Sequence, residues 1–192
     1  MQKNRLGMRV LLPADRIQAR VAQLGQQIGA DYAGLPLTAI GMLKGCFVFM
    51  ADLVRQIEAP LHVDFIEVSS YGDDTISSGV VKIAKDFKHS IAGQHVLLVE
   101  DIIDTGLTLN TLIEILQARK PASVRIAALL VKSQKQQLRY PIDYRGFDIE
   151  DDFVVGYGMD FRGRYRNLDH VAVLEESQPE LFPPVPGQQL EG

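Results

Sequence analysis

The chain has 192 residues, 46% hydrophobic and 23% charged, with a net charge of −4, which suits one soluble globular domain with a real core. The acidic balance argues against a nucleic-acid or membrane-surface binder, although Arg162, Arg164 and Arg166 form a local basic patch. Cys46 is the single cysteine, so no internal disulfide forms and a reducing, cytoplasmic setting fits; no stretch reaches the roughly 18 apolar residues of a membrane span, and the basic segment 1–10 lacks the apolar run of a signal peptide.

In chain order, Asp15 is placed to cap a helix running to about residue 30, with Ile17, Val21, Leu24 and Ile28 on one face. Residues 37–43 read as a first strand that ends in Lys44-Gly45, and a helix follows over about 46–58. Residues 62–70 alternate around Val63, Phe65, Ile66 and Val68 and form a second strand. Residues 71–79 are rich in glycine, acid and serine, a mobile loop by composition, and 80–87 return as a strand. Val96-Leu97-Leu98-Val99 has the length and branching of a strand buried on both faces. Residues 109–119 have helical spacing, and Pro121 closes that helix. Residues 124–131 form another buried strand ending at Lys132, and 153–156 and 171–174 are the last strands. Strands alternating with helices predict an α/β domain with a mostly parallel sheet. The tail 177–192, with Pro179, Pro183, Pro184 and Pro186, is expected to be irregular, with Leu181 and Phe182 available for local docking.

The most informative run is Val99-Glu100-Asp101-Ile102-Ile103-Asp104-Thr105-Gly106-Leu107-Thr108. A strand that ends in a tight turn and feeds a helix presents backbone N–H groups suited to a phosphate. Acids just before such a turn suit sugar hydroxyls, a metal ion or proton transfer. Together they point to a phosphorylated sugar. Other chemistries are disfavoured. There is no Gly-x-x-x-x-Gly-Lys-Ser/Thr run. Gly156 and Gly158 begin a Gly-x-Gly pattern, but Phe161 takes the third glycine position. His62, His89, His95 and His170 lack metal-ligand spacing, and no Gly-x-Ser-x-Gly elbow occurs.

The run at 99–108 resembles the signature with which purine phosphoribosyltransferases bind phosphoribosyl pyrophosphate. Leu43-Lys44-Gly45 is similar to that family's pyrophosphate-binding loop, in which the Leu-Lys peptide can be cis. Ser70-Tyr71 resembles the start of its active-site lid. Lys132 stands where 6-oxopurine enzymes keep a base-reading lysine. Phe153-Val154-Val155-Gly156-Tyr157-Gly158-Met159-Asp160, with Arg166 six residues on, is similar to the purine pocket of hypoxanthine-guanine phosphoribosyltransferases. These pieces occur in family order over about residues 10–175. The resemblance implies a type I phosphoribosyltransferase fold: a mostly parallel twisted sheet flanked by helices, with a small hood over the purine site. It implies a single domain over 1–176, with the core at about 10–150 and the hood at 151–176 plus N-terminal residues. The implied reaction converts hypoxanthine, and guanine, plus 5-phosphoribosyl 1-pyrophosphate to IMP or GMP plus pyrophosphate, with Mg²⁺. A cytoplasmic homodimer or homotetramer, without nucleic-acid or membrane partners, is the expected form.

Each residue has a chemical reason for its implied role. Glu100 and Asp101 are acceptors for ribose hydroxyls, directly or through a metal. Asp104 faces the imidazole edge of the purine and exchanges a proton with N7. Thr105, Gly106, Leu107 and Thr108 cradle the 5′-phosphate; some relatives carry lysine at the position of Leu107, and a backbone contact there tolerates leucine. Lys44, Gly45 and Arg166 take pyrophosphate. Lys132 meets the exocyclic oxygen, Phe153 stacks on the ring and the Val154 backbone reads its edge. Asp160, beside the purine, offers oxygen to a second Mg²⁺. Each has a plainer alternative: Asp104 a turn former, Thr108 a helix cap, Lys44 and Lys132 solvated lysines, Phe153 a core residue, Asp160 and Arg166 a surface ion pair. Rival functions are a xanthine- or guanine-preferring enzyme of the same family, or a phosphoribosyl-pyrophosphate-sensing regulator that binds nucleic acid.

Overall fold

The computed structural model describes residues 8–70 and 81–174. A short strand, β1 (Arg9–Leu12), leads into helix α1 (Ala14–Asp31), which buries Ile17, Val21, Leu24 and Ile28 as their spacing predicts. The cap is not Asp15. Pro13, in extended backbone, precedes the helix and its carbonyl accepts the Ile17 N–H at 3.2 Å. Asp15 instead lies in the first turn, where its charge complements the helix dipole. Strand β2 (Leu37–Leu43) has the predicted bounds. Helix α2 (Phe47–Val54) stops four residues short of the expected end. There Gln56 donates to Leu53 O and Ile57 to Val54 O, tightening the chain into a three-residue turn before Pro60.

Strand β3 (Leu61–Ser70) and strand β4 (Val81–Lys85) pair antiparallel, and the expected lid segment from Tyr71 lies outside the described residues. Strand β5 (His95–Ile103) runs four residues past Val99, so Glu100 and Asp101 belong to the strand and not to a turn. Pairing explains the extension: Glu100 stands opposite Ala128, Ile102 opposite Leu130 and Ile103 opposite Val131. Helix α3 (Leu107–Ala118) starts two residues earlier than expected. Strand β6 (Ser123–Lys132) follows, then a 3₁₀ turn at Ser133–Lys135, then β7 (Tyr144–Ile149), β8 (Val154–Val155) and β9 (Val171–Val173).

The main sheet has the order β4-β3-β2-β5-β6-β7, parallel except for β4. Alternate residues feed cores on its two faces. Ala39, Leu97 and Val99 pack with α1 and α2, while Ile40, Val96 and Leu98 pack with α3. A second, antiparallel sheet of order β1-β9-β8 carries its own cluster around Met8, Val155 and Ala172, and Arg9 pairs with Asp152 across it at 2.9 Å. The chain leaves β2 toward one edge and β5 toward the other, so the strand order reverses between them. Crevices at the carboxyl ends of such strands are where open α/β sheets bind ligands.

Leu98 is fully buried at the sheet's centre. Leu98→Ala is expected to lower unfolding stability by about 2–5 kcal/mol, measured by urea denaturation; a loss under 1 kcal/mol would mean that this layer repacks freely.

Candidate active site

Three segments converge at the carboxyl ends of β2, β5 and β6. At the end of β2 the Leu43–Lys44 peptide is cis. The next residue, Gly45, lies against β5: a Cβ there would stand 1.9 Å from Asp101 Oδ2. Gly158, at φ +103°, lies in turn on Gly45, where a Cβ would come within 2.1 Å of the Gly45 carbonyl oxygen. No side chain fits at either position, and Gly158 also uses backbone that favours glycine. Tyr157 ties this contact to α2, its buried hydroxyl donating to Asp52 Oδ2 at 2.6 Å.

The consecutive acids of β5 serve two clefts. Glu100 lines one of about 300 Å³ with Leu43 and residues 102–109, whereas Asp101 lines another of about 380 Å³ with Lys44, Gly45, Lys132 and Phe153. Neighbours on a strand point to opposite faces, which explains the division. Burial pushes the Glu100 carboxyl well above its usual range, reinforced by the Asp101 charge. Glu100 Oε2 is buried and has no hydrogen-bond partner among the described residues. Burial likewise raises Asp101 to about 6, against the lowering pull of backbone N–H groups and Arg166. A buried acid oxygen without a partner among the described residues, as at Glu100, matches what a cation or a sugar hydroxyl would complete. Asp104 and Ile102 line both clefts.

Gly106, at φ +79°, is the N-cap of α3, so Thr108 lies inside the helix and is not its cap. No side chain caps this helix, and its first turn opens on the smaller cleft. Thr105 Oγ1 accepts the Leu107 N–H at 3.4 Å. The turn is held from behind. Gln137 N–H donates to Thr105 O at 2.8 Å, the Gln136 amide donates to Asp104 O at 2.9 Å, and Asn110 bridges Gln137 O and Arg139 N–H. A cradle of backbone N–H groups at a helix start, with hydroxyls beside it, is an anion site.

In the larger cleft, Lys132 is 9% exposed and faces two acids, Asp151 at 3.2 Å and Asp104 at 3.6 Å. Phe153 is not a core residue: it is 53% exposed and meets Phe161 edge-on, with centroids 5.8 Å apart. The Phe153 carbonyl accepts the Leu174 N–H at 2.9 Å, and Val154 is buried beside it. Asp160 and Arg166 form an ion pair at 2.5 Å within this cleft. Arg166 also donates to Gly158 O at 2.6 Å, and Asp160 accepts the Gly163 N–H at 2.7 Å. Ser70 ends β3, and Tyr71 lies outside the described residues.

Sequence reasoning missed Asp151, Phe161 as a partner of Phe153, and the Gln136–Gln137–Asn110 brace. Each acts through a contact between residues separated in sequence and leaves no local signature. Asp151, two residues before Phe153, had that nearness as its only signal.

A family model described as the phosphoribosyl transferase domain matches residues 11–162. The chain is 46% identical over 167 residues to a hypoxanthine-guanine phosphoribosyltransferase of Bacillus subtilis, covering 87% of this chain and 93% of that protein. It is 48% identical over 172 residues to one of Mycobacterium tuberculosis, covering 86% and 85%. A crystal structure of a hypoxanthine phosphoribosyltransferase from Staphylococcus aureus is similar with a TM-score of 0.85 at 43% identity, covering 91% of this chain and 94% of that one.

Gly45→Ala is expected to force the Asp101 carboxylate aside and cut turnover at least tenfold, on the order of 1.4 kcal/mol in the barrier; steady-state kinetics near the wild-type values would show that the contact yields. Because folding raises the pKa of Asp101 to about 6 from its ordinary 3.8, the folded state favours the protonated acid. That contribution is fully present below about pH 4 and is lost as pH rises past about 6. In ligand-free protein Asp101→Asn is therefore expected to unfold at higher temperature than wild type at pH 8, by up to roughly 3 kcal/mol in stability, with the gap closing by pH 4. Melting curves that stay parallel across this range would contradict the burial argument.

Proposed function

The chain belongs to the phosphoribosyl transferase family, and from that premise we propose how its own residues carry the reaction. It is a purine salvage transferase, converting hypoxanthine, and guanine, plus 5-phosphoribosyl 1-pyrophosphate to IMP or GMP plus pyrophosphate. The observation that carries the division of labour is Asp104 at the junction of the two clefts. On one side lies the N–H cradle of α3; on the other lie Lys132 and Phe153.

The 5′-phosphate sits on Thr105, Gly106, Leu107 and Thr108, and Glu100 and Asp101 take the ribose hydroxyls. Lys44, Gly45 and Arg166 receive pyrophosphate. Lys132 donates to the exocyclic oxygen; the amino group of adenine is itself a donor and leaves that lysine unpaired, which favours 6-oxopurines. The exposed face of Phe153 stacks on the ring, and the Val154 backbone reads its edge. As the new bond forms between N9 and the anomeric carbon and the bond to pyrophosphate breaks, Asp104 accepts the proton from N7. Arg166 offsets the charge that accumulates on the leaving pyrophosphate.

Glu100 suits Mg²⁺ by a buried oxygen without a partner among the described residues, and Asp101, on the opposite face of β5, offers a carboxylate from the larger cleft; Mg²⁺ commonly joins one or two carboxylates to substrate oxygens, and no group of three or more acidic, histidine or cysteine side chains placed to hold a metal ion occurs among the described residues. When bound, it neutralises charge on the pyrophosphate group. Asp160 would join such a site by releasing Arg166 or the Gly163 N–H. The proposed lid begins at Ser70, the last residue of β3, and its continuation from Tyr71 lies outside the described residues. The proposed organisation is one domain over 1–176, with the β1-β9-β8 sheet as hood, a Pro-rich tail over 177–192, and a cytoplasmic homodimer or homotetramer. No helix among the described residues is long and apolar enough to cross a membrane.

Steady-state kinetics with hypoxanthine, guanine, xanthine and adenine test the reading. Hypoxanthine and guanine are expected to turn over and adenine to fail. Inactivity with all four would sink it, and nucleic-acid binding that falls steeply with salt would favour the regulator. Asp104→Asn is expected to retain 5-phosphoribosyl 1-pyrophosphate binding while kcat drops about 10²–10⁴-fold; near-normal kcat would remove Asp104 as the base.

A further inference from the structure

Lys132 is the most enclosed lysine of the site, and its charge is shared by two acids of different standing. Asp104 lies at 3.6 Å, beyond hydrogen-bond distance. Asp151, just before the purine-stacking Phe153, accepts a hydrogen bond from the Lys132 ammonium at 3.2 Å. An ammonium has three N–H donors. One is committed to Asp151 and one is directed toward Asp104, which leaves one for a ligand in the cleft that Lys132 lines.

The reaction makes conflicting demands on this lysine. It must stay charged in a place that water scarcely reaches, and Asp104 must be free to take a proton. If Asp104 were its only anion, the pair would close, and the base would be tied to the residue that reads the substrate. A second carboxylate, outside the cleft lining and nearer to the ammonium, removes that conflict.

We propose that Asp151 is a positioning residue for purine recognition, holding the Lys132 ammonium between the exocyclic oxygen site and Asp104 so that the catalytic acid stays uncommitted. The inference rests on the assignment of Lys132 as the purine reader. Asp151 is not among the residues that line the cleft, and it reaches the purine through Lys132. Its effect is therefore confined to the purine. Arg166 and Asp160, also borne on the segment after β7, reach the same cleft from the other side; a variant that merely loosened this segment would disturb pyrophosphate and purine together.

The test is bisubstrate kinetics on Asp151→Asn, Asp151→Glu, Lys132→Ala and the double variant Asp151→Asn/Lys132→Ala. Asp151→Asn is expected to raise KM for hypoxanthine about fivefold, the scale of one partly exposed ion pair, with KM for 5-phosphoribosyl 1-pyrophosphate within twofold of wild type. Asp151→Glu is expected to restore at least half of that loss. The double variant is expected to be no worse than Lys132→Ala, because one residue acts through the other. Equal rises in both KM values, or losses that add in the double variant, would overturn the proposal. A Lys132→Ala enzyme with normal hypoxanthine kinetics would instead defeat the purine-reader assignment on which it rests.

Discussion

Asp101 has room at the end of β5 because residue 45 carries no side chain. That contact fixes the distance between the end of β2 and the end of β5, the two strands at which the sheet order reverses. The segment after β8 is located by the same device one layer out, with Gly158 lying on the Gly45 carbonyl and Tyr157 reaching back to Asp52 on α2. Three segments far apart in sequence thus stack closely, the Asp101 carboxylate on Gly45 and Gly158 on the Gly45 carbonyl, a spacing that a side chain at either glycine would forbid. The carboxylate at the bottom of the stack is desolvated, and its raised pKa follows from that burial.

The stack also separates two kinds of chemistry. The smaller cleft presents backbone N–H donors at the start of α3, held by Gln136, Gln137 and Asn110 from behind. The larger cleft presents side chains able to discriminate shape and donor pattern: Lys132, Phe153 and the Asp160–Arg166 pair. Backbone donors suit a phosphate, whose recognition needs charge and little else; side chains suit a heterocycle, which must be told from its analogues. Ile102 and Asp104 border both clefts, and of these only Asp104 can move a proton.

Much of this was legible in the residues. The strand at 96–99, the helix face of Ile17, Val21, Leu24 and Ile28, and the strand at 37–43 follow from apolar periodicity, a local property. The run at 99–108 is contiguous, so its joint presence at one turn could be read directly. What failed was set by pairing. β1 is four residues whose partner β9 lies at the other end of the chain, and β7 is an edge strand interrupted by Arg145, Gly146 and Asp148, so neither shows a local strand pattern. The acids at 100 and 101 read as the approach to the turn, and the ladder to β6 carries the strand through them to Ile103. A cap at Thr108 is the plainer alternative that residue type alone offers, yet Gly106 caps by its left-handed backbone, which no composition rule reveals.

The sequence by itself determined the α/β class, a strand–turn–helix run with the chemistry for a phosphate, and residue types that suit a 6-oxopurine and a sugar pyrophosphate. Those depend on periodicity and on short runs whose chemistry is local. Tertiary structure alone decided that Glu100 and Asp101 face different clefts, that Phe153 is an open platform steadied by Phe161, and that Lys132 stands between Asp104 and Asp151. These arrangements join residues from separate strands and loops, and their distances are set by how the sheet and hood pack, which no stretch of sequence encodes alone.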